Sequence, residues 1–290
     1  MRKSLLLFAV LLCCPGLMWG QPDVSYVPDD SVRVVQLLRE GAKAPAGEPL
    51  TLWFARQFMN RPYVAHTLEV KGEEHLAVNL QSLDCTTLVE NVCALTLTVR
   101  HGGTSFRDFC HWLRQLRYAD GKLCGYSSRN HYFSQWVQSG ERLGLIREVT
   151  SDEKASFAAL TKPMKLTLSY MSAHPDAYPL LKVDAAERKL IAEMERQASG
   201  DTIRYITAEN VGRGKADLGD IHDGDILALT TSKAGLDVSH LGFAVWGKDG
   251  KLHLLNASSI HHKVVLEPMT LRQYMQKHPS QTGIRVVRLR

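Results

Sequence analysis

The sequence predicts an α+β fold on three observations. Helical periodicity dominates the first half of the chain and strand-like alternation the tail, the segregated order of the α+β class. One segment, 84–100, has an apolar stripe so wide that it reads as a central, buried helix. Near the C-terminus, Lys248-Asp249-Gly250 lies between two alternating segments as the turn of an antiparallel hairpin.

Each element follows from local pattern. Residues 31–41 and 49–60 read as two short helices, and 63–70 and 75–80 as extended pieces around the turn Lys71-Gly72. Within 84–100, Leu88, Val92, Leu95 and Val99 recur at helical spacing, and Val89, Cys93 and Leu97 widen the stripe before Gly102-Gly103 stops the helix. Further helices are expected at 105–118 and 129–143, and an alternating strand at 165–171. At 184–199 Asp184 and Glu187 stand in capping-box spacing and Gly200 follows the end, the signature of a helix. Strands follow at 225–230, 240–246, 252–257 and 284–289, with a short helix at 270–277 before the last. No linker rich in Pro, Gly or Ser divides the chain. Residues 21–290 are therefore expected to form one domain, with 150–215 as an insertion packed on it.

Composition narrows the class. With 290 residues, 44% apolar and 22% charged, the chain matches soluble globular proteins, not disordered, collagen-like or polytopic membrane ones. Residues 1–20 have the order of a secretory signal: Met1-Arg2-Lys3, an apolar run over 5–14, the break Pro15-Gly16, and Gly20 before Gln21. The run falls well short of the ~20 residues of a membrane span. Cys14 follows Cys13, where lipid attachment expects a small residue, so an anchored form is disfavoured. Removal of Arg2 and Lys3 lowers the formal charge from +5 to +3, too small and too evenly spread a surplus for nucleic acid. A soluble, exported protein without stable membrane insertion is expected.

Cys85, Cys93, Cys110 and Cys124 remain after such cleavage, in a compartment that favours disulfides. If one is a nucleophile, three remain and at most one bridge forms, Cys110–Cys124 being one option. The informative stretch is Leu83-Asp84-Cys85-Thr86-Thr87. Asp84 suits an N-cap accepting from the Thr86 or Thr87 N–H. Cys85 then takes the first helical position, where the dipole and unpaired N–H groups favour a thiolate and can hold an oxyanion. Cys93, on the apolar side of the same helix, reads as core.

A thiol nucleophile needs a base, and His240 stands at the mouth of the strand 240–246. Asn256, at the end of the returning strand, can orient its imidazole. Register decides whether the two share a face. A two-residue Asp249-Gly250 loop would turn Asn256 away. A three-residue loop sets Gly247 opposite Lys251 and Gly242 opposite Asn256, which makes His240 and Asn256 diagonal neighbours on one face. Gly250 suits the left-handed position of that loop. A metal-dependent hydrolase is the competing class, but no His-Glu-x-x-His occurs, and His261-His262 on a strand would point to opposite faces. No metal and no cofactor are expected.

Pro62-Tyr63, Asp84-Cys85, Gly224-Asp225-Ile226 and Ser239-His240-Leu241-Gly242 occur in an order that resembles the NlpC-type cell-wall hydrolases, papain-like cysteine amidases and peptidases. The N-acetylmuramoyl-L-alanine amidase-like branch of that superfamily is the nearer match. Its pattern is similar to Asp84-Cys85-Thr86-Thr87-Leu88-Val89-Glu90, then Ser128-Arg129-Asn130-His131-Tyr132, then Gly235-Leu236-Asp237-Val238-Ser239-His240. The likeness covers roughly residues 50–290.

The resemblance implies a papain-like fold with Cys85 as nucleophile, His240 as base and the Tyr63 hydroxyl beside the thiol. The branch often has a histidine where Asn256 stands. An amide carries no charge, so a somewhat weaker base is expected. Asp84, Ser128, His131 and Ser239 fall in the matched blocks as substrate-side residues, with Arg129 expected to pair with a stem-peptide carboxylate and Tyr132 to stack on a sugar face. The implied partner is a peptidoglycan fragment, a muropeptide, in 1,6-anhydro form. The implied reaction cuts the amide between N-acetylmuramic acid and L-Ala, in wall turnover or recycling. A peptidase cutting within the stem peptide and a non-catalytic wall-binding module are the alternatives.

Overall fold

A computed structural model describes residues 24–69 and 73–290. The signal-like segment and the Lys71-Gly72 turn lie outside the described residues. A short parallel pair, β1 (Val24–Ser25) with β2 (Leu76–Ala77), ties the start of the described chain to the segment before the central helix. Between them lie α1 (Pro28–Gly41) and α2 (Leu50–Gln57). Then come α3 (Cys85–Arg100), α4 (Phe106–Arg117), α5 (Phe133–Arg142) and β3 (Ile146–Glu148). The middle of the chain holds β4 (Thr161–Lys165), α6 (Tyr170–Ala173), α7 (Pro179–Val183), α8 (Ala185–Ala198), β5 (Thr202–Thr207) and α9 (Lys215–Leu218). The tail holds β6 (Ile226–Thr231), β7 (Val238–Trp246), β8 (Leu252–Ser258), β9 (Lys263–Leu266), α10 (Leu271–Gln276) and β10 (Gln281–Leu289). The mixed α+β class is as the sequence predicts.

The main sheet runs β4-β5-β10-β6-β7-β8-β9, with β3 also pairing to β10, and each of these pairings is antiparallel. Helix α3 packs on β7 and β8 and is flanked by α1, α2 and α4. Twelve of its sixteen residues are buried, so its polar ones need internal partners. Thr96 and Thr98 donate back to the Val92 and Ala94 carbonyls, and Glu90 pairs with the buried Arg117 at 2.7 Å. The start of the helix is fixed by a capping box: the Asp84 carboxylate accepts from the Thr87 N–H at 2.8 Å, and the Thr87 hydroxyl accepts from the Asp84 N–H at 2.9 Å.

The segment 150–215 contributes β4 and β5 to the main sheet and builds its own apolar cluster, in which Leu168, Met171, Leu181 and Ile191 pack with Tyr126 and Tyr132. Three expectations need correction. The alternating stretch 165–171 is not a strand: β4 ends at Lys165, and Tyr170 begins α6. The helix expected from residue 129 starts at Phe133: Arg129 and Tyr132 are extended, and the Arg129 and Asn130 side chains are held by partners outside the helix. Residues 65–68 form turns instead of an extended run.

The hairpin between β7 and β8 has the three-residue loop. Phe243 faces Leu255 and Trp246 faces Leu252, and the Gly247 N–H donates to the Lys251 carbonyl at 2.8 Å. Gly250 takes a left-handed φ of 70° there. This register sets His240 and Asn256 on one face of the sheet. A bulge enters on the other side of β7, where His240 pairs with Leu229 but Val238 already pairs with Thr230. Ser239 is the extra residue, and bulges of this kind re-aim neighbouring side chains.

Candidate active site

Cys85 and His240 line one pocket, with about 580 Å³ of empty space, between the start of α3, the entry to α5 and the segment leading into β7. Cys85 occupies the first position of α3, and the Asp84 cap uses the Thr87 N–H. The Cys85 and Thr86 amides are left without intrahelical acceptors. The backbone N–H of Leu241, next to His240, faces the thiol and favours its charged form.

The helix dipole does not decide the charge on this thiol. Burial and the Asp84 carboxylate push Cys85 up to about 12, outweighing the N–H groups that favour the thiolate. Tyr63 is raised to about 12 as well, by burial first and then by Cys85 and Asp84, which places its hydroxyl in the electrostatic reach of the thiol. Burial holds His240 below its usual value, while Asn256, Glu267 and Asp84 pull it back up. At neutral pH the pair is therefore a neutral thiol and a neutral imidazole.

The imidazole is held from two sides. His240 Nε2 lies 2.9 Å from Asn256 Oδ1, and the Tyr274 ring of α10 stacks on it at 6.3 Å with 23° between planes. Asn256 is fully buried, and its Nδ2 donates to Glu267 Oε1 at 3.0 Å. Glu267 also faces His261 at 3.2 Å.

Other residues expected at the site do different work. Arg129 is buried, with its guanidinium paired to Glu69 at 3.0 Å and Glu74 at 2.9 Å, so it has no charge to spare for a substrate carboxylate. Tyr132 is 2% exposed, with its hydroxyl 2.5 Å from Glu195, and offers no face to a sugar. Ser128 closes a turn, accepting from the Cys124 N–H and donating to the Gly125 carbonyl. Asp84 spends its carboxylate on the helix cap and acts on the site by its charge alone. His131 does line the pocket, but its Nε2 bonds the Tyr126 carbonyl at 2.8 Å, and burial with the nearby Arg129 pushes it down to about 3, so it is a neutral wall. Ser239 lines the pocket from the bulge.

His261 and His262 lie in the turn between β8 and β9, not on opposite faces of a strand. Among the described residues no group of three His, Cys, Asp or Glu side chains is arranged to hold a metal ion. The Gly224-Asp225-Ile226 block is architectural. A Cβ on Gly224, at φ 80°, would run into Thr51 Oγ1, and Asp225 binds Arg288 at 2.7 Å.

Sequence reasoning missed Glu267, Tyr274 and the wall residues Trp136 and Asp237. The Asp237 carboxylate accepts from the Ser134 N–H at 2.7 Å and so joins the start of α5 to the segment before β7.

The sequence profile of the AmiA-like family, described as N-acetylmuramoyl-L-alanine amidase-like, matches residues 53–284. The chain belongs to this family. An N-acetylmuramoyl-L-alanine amidase from Bacteroides uniformis ATCC 8492 is 38% identical with a TM-score of 0.76, over 83% of this amidase-like chain and 98% of its own. A protein from Bacteroides fragilis, described provisionally as a xylanase, is 41% identical with a TM-score of 0.75, over 82% of this chain and 99% of its own. A Legionella pneumophila protein at 22% identity shares the fold, with a TM-score of 0.66 over 90% of this chain and 94% of its own. No curated protein matches the sequence.

All four described cysteines are free, and the Cys110–Cys124 bridge is not formed. Cys110 and Cys93 are buried, with thiols raised by burial, whereas Cys124 is exposed. Mild alkylation of native protein should label Cys124 fastest and leave Cys93 and Cys110 untouched until the chain is unfolded. Peptide mapping reads the order, and a disulfide at Cys124 would contradict it.

Proposed function

We propose that the protein is a cysteine amidase of papain-like NlpC type, cutting the amide between N-acetylmuramic acid, in its 1,6-anhydro form, and the L-Ala of the stem peptide. The single observation that carries this is the hydrogen bond of His240 to buried Asn256 in the pocket that also holds Cys85. The family match and the amidase named among the similar structures give the substrate class. A glycosidase would need two available carboxyl groups across the sugar. The acidic side chains that line this pocket are committed elsewhere, Glu90 to Arg117 and Asp237 to the Ser134 N–H.

With Nε2–H donated to Asn256, the Nδ1 lone pair of His240 takes the thiol proton as Sγ bonds to the lactyl carbonyl carbon. The amides of Cys85 and Thr86 receive the oxyanion. As the C–N bond breaks, the imidazolium returns its proton to the amine of L-Ala and leaves a thioester. His240 then deprotonates a water that hydrolyses it, which frees the sugar acid and the thiol. The signal-like first twenty residues support export; the role proposed is periplasmic turnover or recycling of soluble fragments by a monomer, with residues 21–290 as the catalytic domain. No described helix is long and apolar enough to cross a membrane.

Mass spectrometry of products from defined anhydro-muropeptides tests the reading. The expected products are a peptide-free anhydro sugar and a stem peptide with a free L-Ala amine. Sugar that retains L-Ala, with cleavage further along the peptide, would identify a peptidase instead.

A further inference from the structure

His240, Asn256 and Glu267 form a diagonal across three neighbouring chain segments. Gly242 stands opposite Asn256 in the β7–β8 register, so His240 is two residues away on the same face. Val265 pairs with Asn256 in the β8–β9 register, and Glu267, two residues on, continues the ladder: its own N–H donates to the Leu254 carbonyl at 2.9 Å. The same two-residue offset thus brings both His240 and Glu267 to Asn256. Asn256 is fully buried and Glu267 is 2% exposed.

A carboxylate has only acceptors, so the 3.0 Å contact of Glu267 Oε1 requires the Asn256 NH₂ on its side. Asn256 Oδ1 must then face His240, at 2.9 Å, and the His240 proton must sit on Nε2. That leaves Nδ1 as the nitrogen able to accept. We infer that Glu267 is a positioning residue: through Asn256 it fixes which nitrogen of His240 carries the proton, and it lends the base the negative charge that an amide lacks. The inference rests on the reading of His240 as the base. The weaker base expected from an uncharged third residue is offset by a buried carboxylate one bond further back.

The other groups that bear on the imidazole are Asp84 and Cys85 at the start of α3 and the Tyr274 ring of α10, and Glu267 also acts on Tyr274 by its charge. The far oxygen of Glu267 faces His261 at 3.2 Å, so the relay ends at a side chain 37% exposed.

The test follows the His240 imidazole by NMR titration in the full mature chain, with its signal assigned through His240→Gln. In Glu267→Gln the His240 pKa should fall by on the order of one unit. The acidic limb of kcat/KM on muropeptide should move to lower pH with it, and kcat should drop about tenfold with KM little changed. A folded Glu267→Gln protein whose His240 titrates as in wild type would overturn the inference, even if the enzyme still cleaves muropeptides. The titration needs no substrate, so a shift in it stands even if the amidase reading fails.

The double variant Asn256→Asp with Glu267→Gln keeps one charge and one hydrogen bond between the same positions with polarity reversed. Its His240 should titrate at or above the wild-type value. If Glu267→Gln does not fold, the imidazole ¹⁵N shifts of the wild-type protein decide: a neutral His240 with its proton on Nδ1 overturns the inference.

Discussion

Cys85→Ala should abolish turnover of muropeptide, by on the order of 10⁴-fold or more, while leaving the thermal unfolding transition near that of wild type. The fold should tolerate the change because the helix start is held by the Asp84–Thr87 capping box and not by the thiol. The chemistry should not, because no other described cysteine lines the pocket. The pH profile adds a second reading of the same site. The thiol is raised to about 12 by burial and Asp84, and His240 is lowered from 6.5 by burial, so the reactive state is the neutral pair. The rate should then fall only as His240 gains a proton, with an acidic limb below 6.5. Retained turnover in Cys85→Ala, or an acidic limb well above that value, would remove Cys85 and His240 from the roles given to them.

Much of this site was legible because its main parts are local. A run of apolar residues at helical spacing after Asp84 marks α3 and puts Cys85 at its first position. The three-residue turn sets the β7–β8 register, and parity alone then brings Asn256 beside His240. What the sequence conceals is pairing over distance. Arg129 and Tyr132 have the chemistry of ligand-binding residues, yet each is satisfied by carboxylates 55 or more positions away, Glu74 for Arg129 and Glu195 for Tyr132. Strand β9 is four residues long and gives no alternating signal of its own, so neither its pairing with β8 nor the arrival of Glu267 behind Asn256 was readable. The thiol charge failed for a related reason. The helix dipole is a local term, whereas burial depends on everything packed around the helix start, and burial is the larger effect here.

The largest loss of stability should come from Arg285→Ala. Arg285 is 1% exposed on β10 and donates to Glu148 at 2.6 and 3.1 Å and to the Ser134 hydroxyl at 2.6 Å. Asp237 lies 3.9 Å from the same guanidinium, and the Phe133 ring lies 5.2 Å from it. Removal of the guanidinium leaves two buried carboxylates, Glu148 and Asp237, facing a cavity with no cation between them. Breaking such a cluster from one side costs about 3–5 kcal/mol, because the remaining charges stay buried and uncompensated. Urea unfolding should show this as a lower midpoint at unchanged slope. Arg285→Lys should recover only part of it, since a single ammonium cannot reproduce the paired bonds to Glu148 and the third to Ser134. The cluster also fixes the pocket wall: Ser134 opens α5 beside Phe133, and Asp237 leads into the bulge that carries Ser239 and His240. Residual folded Arg285→Lys protein should therefore bind muropeptide more weakly, with KM raised more than kcat is lowered, because the reacting groups keep their own supports in Asn256 and the α3 cap. A loss below about 1 kcal/mol on Arg285→Ala would mean that water or a rearranged partner satisfies the two carboxylates, and that β10 does not brace the pocket.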